Sequence, residues 1–462
     1  MKKFIALIAF HSLLWGNLIV AQVESNQALG DLIQAGNWFE VEKFYQENRE
    51  HITNEFVLLW YEAETGKRFN RHKEAIQAYA DLLEKNLLSM DLLTLMDFFV
   101  QSAVDLCAET QEYKKGKEIC GKMISLLEDD TTVSDDIRQS LTQDFKGIIK
   151  FFEQMEQDAY PALEIVDTDP ASDGTIKMIT EDGDNSIRFM ANWNGIPLRT
   201  IFDTGASGGY IWNREVAKKI GVRFLSQDTV YLNGNIKALP AIIDSLELGK
   251  FKIKNTHVYV NMEEIDIKDP KQAWCDSIMD SQLDIVLGMP IIRELGVIGI
   301  DFMEKTISFP GKKKNDKTYS RRNMFLENGI VYLMMKVADE NFITFFDTGS
   351  GGGLSINANF YNKHNEKIKL NEDKGSKDIM DVVGGCNEDS FSNREIYFCD
   401  QIAIGINDIT LQLEDNCLIA KDQANDNPHG HVDGGMLGIY FFKYLKKISF
   451  DFNDMIFSVE PK

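Results

Sequence analysis

Proline is scarce in this chain of 462 residues, with 9 in all and none before Pro161. A stretch that long without a breaker is free to run as helix. Basic residues are also in deficit, 49 against 72 acidic, for a net charge of −23. That balance argues against nucleic acid as a partner, which wants a basic face. The six cysteines (Cys107, Cys120, Cys275, Cys386, Cys399 and Cys417) include no Cys-x-x-Cys and no metal-ligand spacing. No Ser-His-Asp or Cys-His arrangement stands out. After the N-terminus, no segment approaches the roughly 20 apolar residues of a membrane helix. What remains is a composition ordinary for globular protein, 44% hydrophobic and 26% charged, long enough for two or three domains.

The N-terminus reads as a targeting segment. Lys2 and Lys3 precede the apolar run Phe4 to Leu14, and Ile19-Val20-Ala21-Gln22 offers a small-residue cleavage site after Ala21. Residues 1–21 are thus expected to be a signal peptide, and the protein to be exported to the periplasm, cell surface or medium. In an oxidising compartment an even cysteine count permits bridges, with Cys386 and Cys399 a plausible local pair.

Residues 23–157 repeat apolar residues at three- and four-residue intervals between long polar helix formers, which predicts an all-α domain. A weak repeat runs through it: Val41 to Ala75 and Tyr45 to Tyr79 are each 34 residues apart, with a looser third copy from Gln111 to Cys120 and Met123. A 34-residue helical hairpin period resembles tetratricopeptide repeats, although most signature positions are missing. Such a domain could bind a protein partner. Pro161, Pro170, Gly174 and Gly183 then mark residues 158–184 as a linker.

Beyond it the pattern changes to short β runs with turns. Ile187 to Trp193, Asn194-Gly195 and Ile196 to Phe202 form a hairpin signal, echoed by Ile330 to Val337, a turn at 339–341, and Phe342 to Phe346. Both hairpins end in the same tripeptide, Asp203-Thr204-Gly205 and Asp347-Thr348-Gly349. A shift of 144 also superposes Trp212 on Ile356 and Asn213 on Asn357, each Asn placed to cap a helix; the first of these helices would span Arg214 to Ile220 and close at Gly221. A second block follows: Leu287-Gly288 leads to Asp301, and Leu437-Gly438 to Asp451, both over 13 residues from Gly to Asp. Two ungapped blocks in the same order point to a duplicated lobe.

On these residues the region 185–462 resembles the retropepsin-like aspartic peptidases, with two lobes fused in one polypeptide. The resemblance implies a multidomain chain: an N-terminal all-α helical-repeat domain, then an all-β bilobal acid-protease pseudo-dimer. Lobe one would span 185–310, an inter-lobe linker 311–324 and lobe two 325–462. It also implies an exported aspartic endopeptidase with Asp203 and Asp347 as the catalytic pair. Thr204, Gly205, Thr348 and Gly349 would support the active loops, and Leu287-Gly288 and Leu437-Gly438 would pack beneath them.

The chemistry explains the pairing. Two carboxylates about 3 Å apart cannot both ionise, so they share a proton. The charged one deprotonates a water and the neutral one hydrogen-bonds the substrate carbonyl. No cofactor or metal is needed. Peptide or unfolded protein would lie extended under flap hairpins, with turns expected at Asn233-Gly234 in lobe one and Gly384-Gly385 in lobe two. The other reading is a catalytically silent peptide-binding protein of the same fold, its helical domain recruiting a partner. His429, His431 and Asp433 bring ligand types together but sit in a Gly/Asn/Asp/Pro-rich loop, read as solvated. Lys312-Lys313-Lys314 and Arg321-Arg322 read as the solvated inter-lobe linker.

Overall fold

The computed structural model describes residues 22–85, 92–157, 161–179, 186–225, 229–232, 236–262, 285–311, 322–371, 376–382, 391–399, 401–414, 417–420 and 435–462. The expected signal peptide lies outside them. Two compact units divide between Ala159 and Tyr160.

The first unit is helical. Helices cover 22–35, Trp38–Asn48, Glu55–Arg68 and His72–Lys85; then Leu92–Leu95 runs through a π turn, Met96–Val100, into Gln101–Glu109; Tyr113–Asp129 and Asp135–Gln157 complete the unit. Of the positions that carried the repeat, Val41, Ala75, Tyr79, Leu82, Cys120 and Met123 are buried and Tyr45 is half-buried. Buried polar groups pin the early helices in register. The Tyr79 hydroxyl donates to Glu64 Oε1 at 2.8 Å, Arg68 pairs with the same carboxylate, and the Arg68 guanidinium lies 3.7 Å from the Trp38 ring centroid. Among the described residues no helix is long and apolar enough to cross a membrane.

The second unit is β-rich. In lobe one, Arg188–Trp193 and Ile196–Phe202 form the expected hairpin about Asn194 and Gly195, both at positive φ, the geometry of a two-residue turn whose twist matches its strands. In lobe two the corresponding turn is Ala338-Asp339, also at positive φ, and the second strand begins already at Glu340. The polar composition of 339–341 carried the expected turn two residues too far; the two-residue turn keeps the strands paired to Val337↔Glu340.

The stretch 158–184, expected as a linker, contributes two strands. Glu164–Asp167 pairs with Phe251–Asn261, and Ile176–Ile179 pairs with both Thr306–Gly311 and Arg188–Trp193. The first is mostly exposed and the second mostly half-buried, and at four residues each they are short among acids, prolines and glycines. Buried Lys250 anchors the first by its 2.9 Å ion pair with Asp167.

The lobes are joined by a shared sheet. Val297–Asp301 pairs antiparallel with Leu445–Asp451, from Val297↔Asp451 to Asp301↔Lys447. Each strand turns back through the same device. Asp301 Oδ1 accepts from the N–H groups of Met303 and Glu304, Asp451 Oδ1 from those of Asn453 and Asp454, and Lys305 and Met455 both take φ near +50° (52° and 55°). The second sequence block therefore ends in the turns of this inter-lobe sheet. On it sits Phe450, whose ring lies 6.0 Å from Phe202 of lobe one and 5.7 Å from Phe346 of lobe two. Truncating so large and fully buried an anchor, Phe450→Ala, should cost about 3–5 kcal/mol, read as a lowered urea midpoint; a loss below about 1 kcal/mol would show that the lobes hold together without it.

Candidate active site

Each Asp-Thr-Gly loop leaves the end of a central strand. Ile196–Phe202 runs parallel to Ile285–Leu287, and Glu340–Asp347 parallel to Met436–Gly438. The supporting Leu-Gly pairs hold the loops by backbone bonds. In lobe one, Asp203 N–H donates to Leu287 O at 3.1 Å and Met289 N–H to Ala206 O at 2.9 Å. In lobe two, Gly438 N–H donates to Gly353 O and Ile439 N–H to Ser350 O, both at 2.9 Å. The helix caps also repeat. Asn213 Oδ1 accepts from Glu215 N–H at the start of Arg214–Ile220, closed by left-handed Gly221, and Asn357 Oδ1 accepts from Phe360 N–H in Ala358–His364.

The two loops lock through their threonines, both fully buried. Thr204 N–H donates to Thr348 Oγ1 at 2.9 Å, and Thr348 N–H to Thr204 Oγ1 at 3.0 Å. Each hydroxyl then donates across the lobe boundary at 2.8 Å, Thr204 to Phe346 O and Thr348 to Phe202 O. Four bonds thus relate the loops by an approximate twofold, with every polar atom of the two side chains satisfied.

This lock brings Asp203 and Asp347 together. Their carboxyls hydrogen-bond each other, and each also accepts from the glycine of its own loop, Gly205 N–H on Asp203 Oδ1 at 2.8 Å and Gly349 N–H on Asp347 Oδ1 at 2.7 Å. The glycines are required by close approach. A Cβ on Gly205 would stand 2.5 Å from the Asp347 carboxyl, and one on Gly349 2.5 Å from that of Asp203. Any side chain there would drive the carboxyls apart.

Burial pushes both carboxyls above the ordinary carboxylate range. At Asp203 the Asp347 charge adds to the effect, while the N–H groups of Gly205 and Ala206 oppose it. The pair retains a proton where isolated carboxyls would have lost theirs, and that proton belongs to the dyad.

Other expected positions fall differently. Asn233, Gly234, Gly384 and Gly385 lie outside the described residues, as do His429, His431 and Asp433. The strands flanking both flap turns are described: Val230–Leu232 pairs with Ile236–Leu248 up to Leu232↔Ile236, and Ser376–Val382 with Phe391–Cys399 up to Val382↔Phe391. Among the described residues no cluster of three or more His, Cys, Asp or Glu could hold a metal ion.

Sequence reasoning used Trp212 only to align the lobes and passed over Tyr210. The two rings stack at 6.0 Å beside the lobe-one loop, the Tyr210 hydroxyl is 3.4 Å from Ser207 Oγ, and Tyr259 packs at 6.0 Å on the far side. Burial raises the Tyr210 pKa, and the nearby Asp203 charge raises it further. The alternation Tyr210-Ile211-Trp212 immediately after the loop was the available signal: two aromatics on one face of a short strand. Lobe two carries aliphatic Leu354 and Ile356 at the corresponding positions, and both are fully buried in its core.

Residues 189–291 match the family model described as aspartyl protease, a segment that begins in the first hairpin and ends just past Leu287-Gly288. A crystal structure of a retropepsin-like aspartic protease from Rickettsia conorii is similar over 32% of this chain and 90% of its own, at 21% identity and a TM-score of 0.21. No curated protein matches the chain. Duplicated loops, a crossed threonine lock and a carboxyl pair define an acid-protease architecture. Within the β-rich unit, the segment that carries the first of these loops is thus similar to the aspartyl protease family, and a helical unit precedes it in the chain.

Thr204→Val keeps the shape but strands the Thr348 N–H and leaves Phe346 O without its donor, so stability should drop by about 2–4 kcal/mol, with Thr204→Ser restoring most of it; equal losses in both variants would count against the lock. For the dyad, the folded state binds its proton more tightly than the unfolded chain, so stability falls as pH rises from the unfolded value of about 4 towards the raised folded values. Asp203→Asn removes that loss. The melting temperature of the variant relative to wild type should therefore rise between about pH 4 and pH 7, whereas a constant or shrinking difference by calorimetry would contradict burial of the charge.

Proposed function

We propose that the protein is an aspartic endopeptidase that hydrolyses peptide bonds with a water activated between Asp203 and Asp347. The observation that carries this reading is the hydrogen-bonded carboxyl pair, one from each lobe, held by the crossed threonines with only glycine packed against it. One carboxylate takes the proton of the attacking water, while the protonated partner donates to the substrate carbonyl and stabilises the oxyanion as it forms. The carboxyls then exchange roles, the first returning its proton to the leaving nitrogen. No bond to the protein forms.

The substrate is an extended peptide or unfolded protein lying across the mouth of the site, its main chain bonded by the flap strands. The proposal extends to export, on the strength of Lys2, Lys3 and the apolar run before Ala21, and to recruitment of a protein partner by the tetratricopeptide-like helical unit.

Asp203→Asn and Asp347→Asn should each lower turnover of a diverse peptide pool by roughly a thousandfold or more. Retained cleavage in either variant would sink the assignment, and peptide binding by wild type without turnover would favour the silent binding protein instead. Wild-type activity should decline as alkaline pH strips the shared proton, so a rate still climbing above about pH 9 would contradict the mechanism.

A further inference from the structure

Two cysteines of lobe two face each other across a strand pair. Cys399 ends the strand Phe391–Cys399 and Cys417 begins Cys417–Ala420; the strands are antiparallel and their register places Cys399 directly opposite Cys417. Directly opposed residues on antiparallel strands share a face, with Cβ atoms about 4.5–5.5 Å apart, and a disulfide needs only a small approach from there. Both side chains are 1% exposed, and both stand as thiols. We propose that Cys399 and Cys417 are a disulfide site, joined during folding in an oxidising compartment and closing the base of the lobe-two flap hairpin against the sheet that carries Asp347.

The position gives the bond a structural consequence. The return strand of the hairpin Ser376–Val382/Phe391–Cys399 reaches its base at Cys399. Cys417 is in register with Leu354, Leu354 with Leu437, and Leu437 with Phe346, the residue before Asp347. One continuous rung of the sheet therefore runs from the cysteine pair to the active loop. The loop between the cysteines encloses the hairpin Ile402–Ile406/Ile409–Leu413, so the crosslink would also restrict that segment of the unfolded chain. The sequence alone suggested Cys386 as the neighbour of Cys399; Cys386 lies outside the described residues, and register supplies Cys417 instead.

The oxidant is a small-molecule or protein disulfide. One cysteine thiolate attacks it, forming a mixed disulfide and releasing one thiol; the second thiolate attacks the mixed disulfide, forming the Cys399–Cys417 bond and releasing the other thiol. Two protein thiols lose two hydrogens, and the oxidant disulfide gains them. Exchange must precede closure of the sheet, because in the folded thiol form the bond with Cys399, followed by burial, holds the Cys417 thiol protonated.

The test is refolding of the full chain in mixed oxidised and reduced glutathione, then digestion without reductant and mass spectrometry. The expected result is a joined Cys399–Cys417 peptide, with reduction lowering the melting temperature by about 5 °C. The Cys399→Ala, Cys417→Ala double variant should show no such response. Full alkylation of both cysteines in unreduced, denatured wild type would overturn the proposal, as would recovery of Cys399 joined to Cys386. The wild-type peptide map decides the matter even if the double variant fails to fold.

Discussion

The structure of the β-rich unit depends on four hydrogen bonds between Thr204 and Thr348 and the backbone beside them. Bringing two carboxyls into hydrogen-bonding contact is electrostatically unfavourable once both are charged, and burial makes it worse. The threonine lock opposes that repulsion by fixing the strand ends that carry Asp203 and Asp347. It can do so because each hydroxyl both accepts from the opposite loop and donates to the strand that leads into that loop, so neither lobe completes its own bonding alone.

Around that lock the fold is arranged in supporting layers. The Leu287-Gly288 and Leu437-Gly438 segments hold the loops from beneath by backbone bonds. Behind them, Phe202, Phe346 and Phe450 join the lobes in one aromatic cluster, and the sheet formed by Val297–Asp301 and Leu445–Asp451 makes the union continuous in backbone hydrogen bonds. The dyad is thus held by polar bonds at the front and apolar packing at the back. The approximate twofold is broken just after the loops, where half-buried Tyr210 and Trp212 in lobe one correspond to fully buried Leu354 and Ile356 in lobe two.

Much of this was legible because duplication writes a pattern twice. Asp-Thr-Gly, the capping Asn and the Leu-Gly to Asp spacing are local signals, each set by a turn or cap that needs one residue type. Asn213 was readable as a cap, and Asp301 and Asp451 were readable as anchors without their role being apparent. The strands Glu164–Asp167 and Ile176–Ile179 were missed for the opposite reason. Each is only four residues long, and what makes them strands is largely the backbone of partners some 80 to 130 residues away, at Lys254 and Thr306, with Arg188–Trp193 pairing on the other side of the second. Tyr210 was missed because an aromatic on a short strand looks the same in a core as beside a carboxyl.

The sequence by itself determined the helical and β-rich halves, the lobe duplication and the two aspartates, since each follows from local propensity or a repeated motif. Only the tertiary structure decided that the threonines cross, that the glycines sit against the opposite carboxyl, that the linker residues belong to the sheet and that Cys399 faces Cys417. Those are matters of register and of approach between distant segments, and a side-chain pattern along one strand carries no record of which strand it will meet.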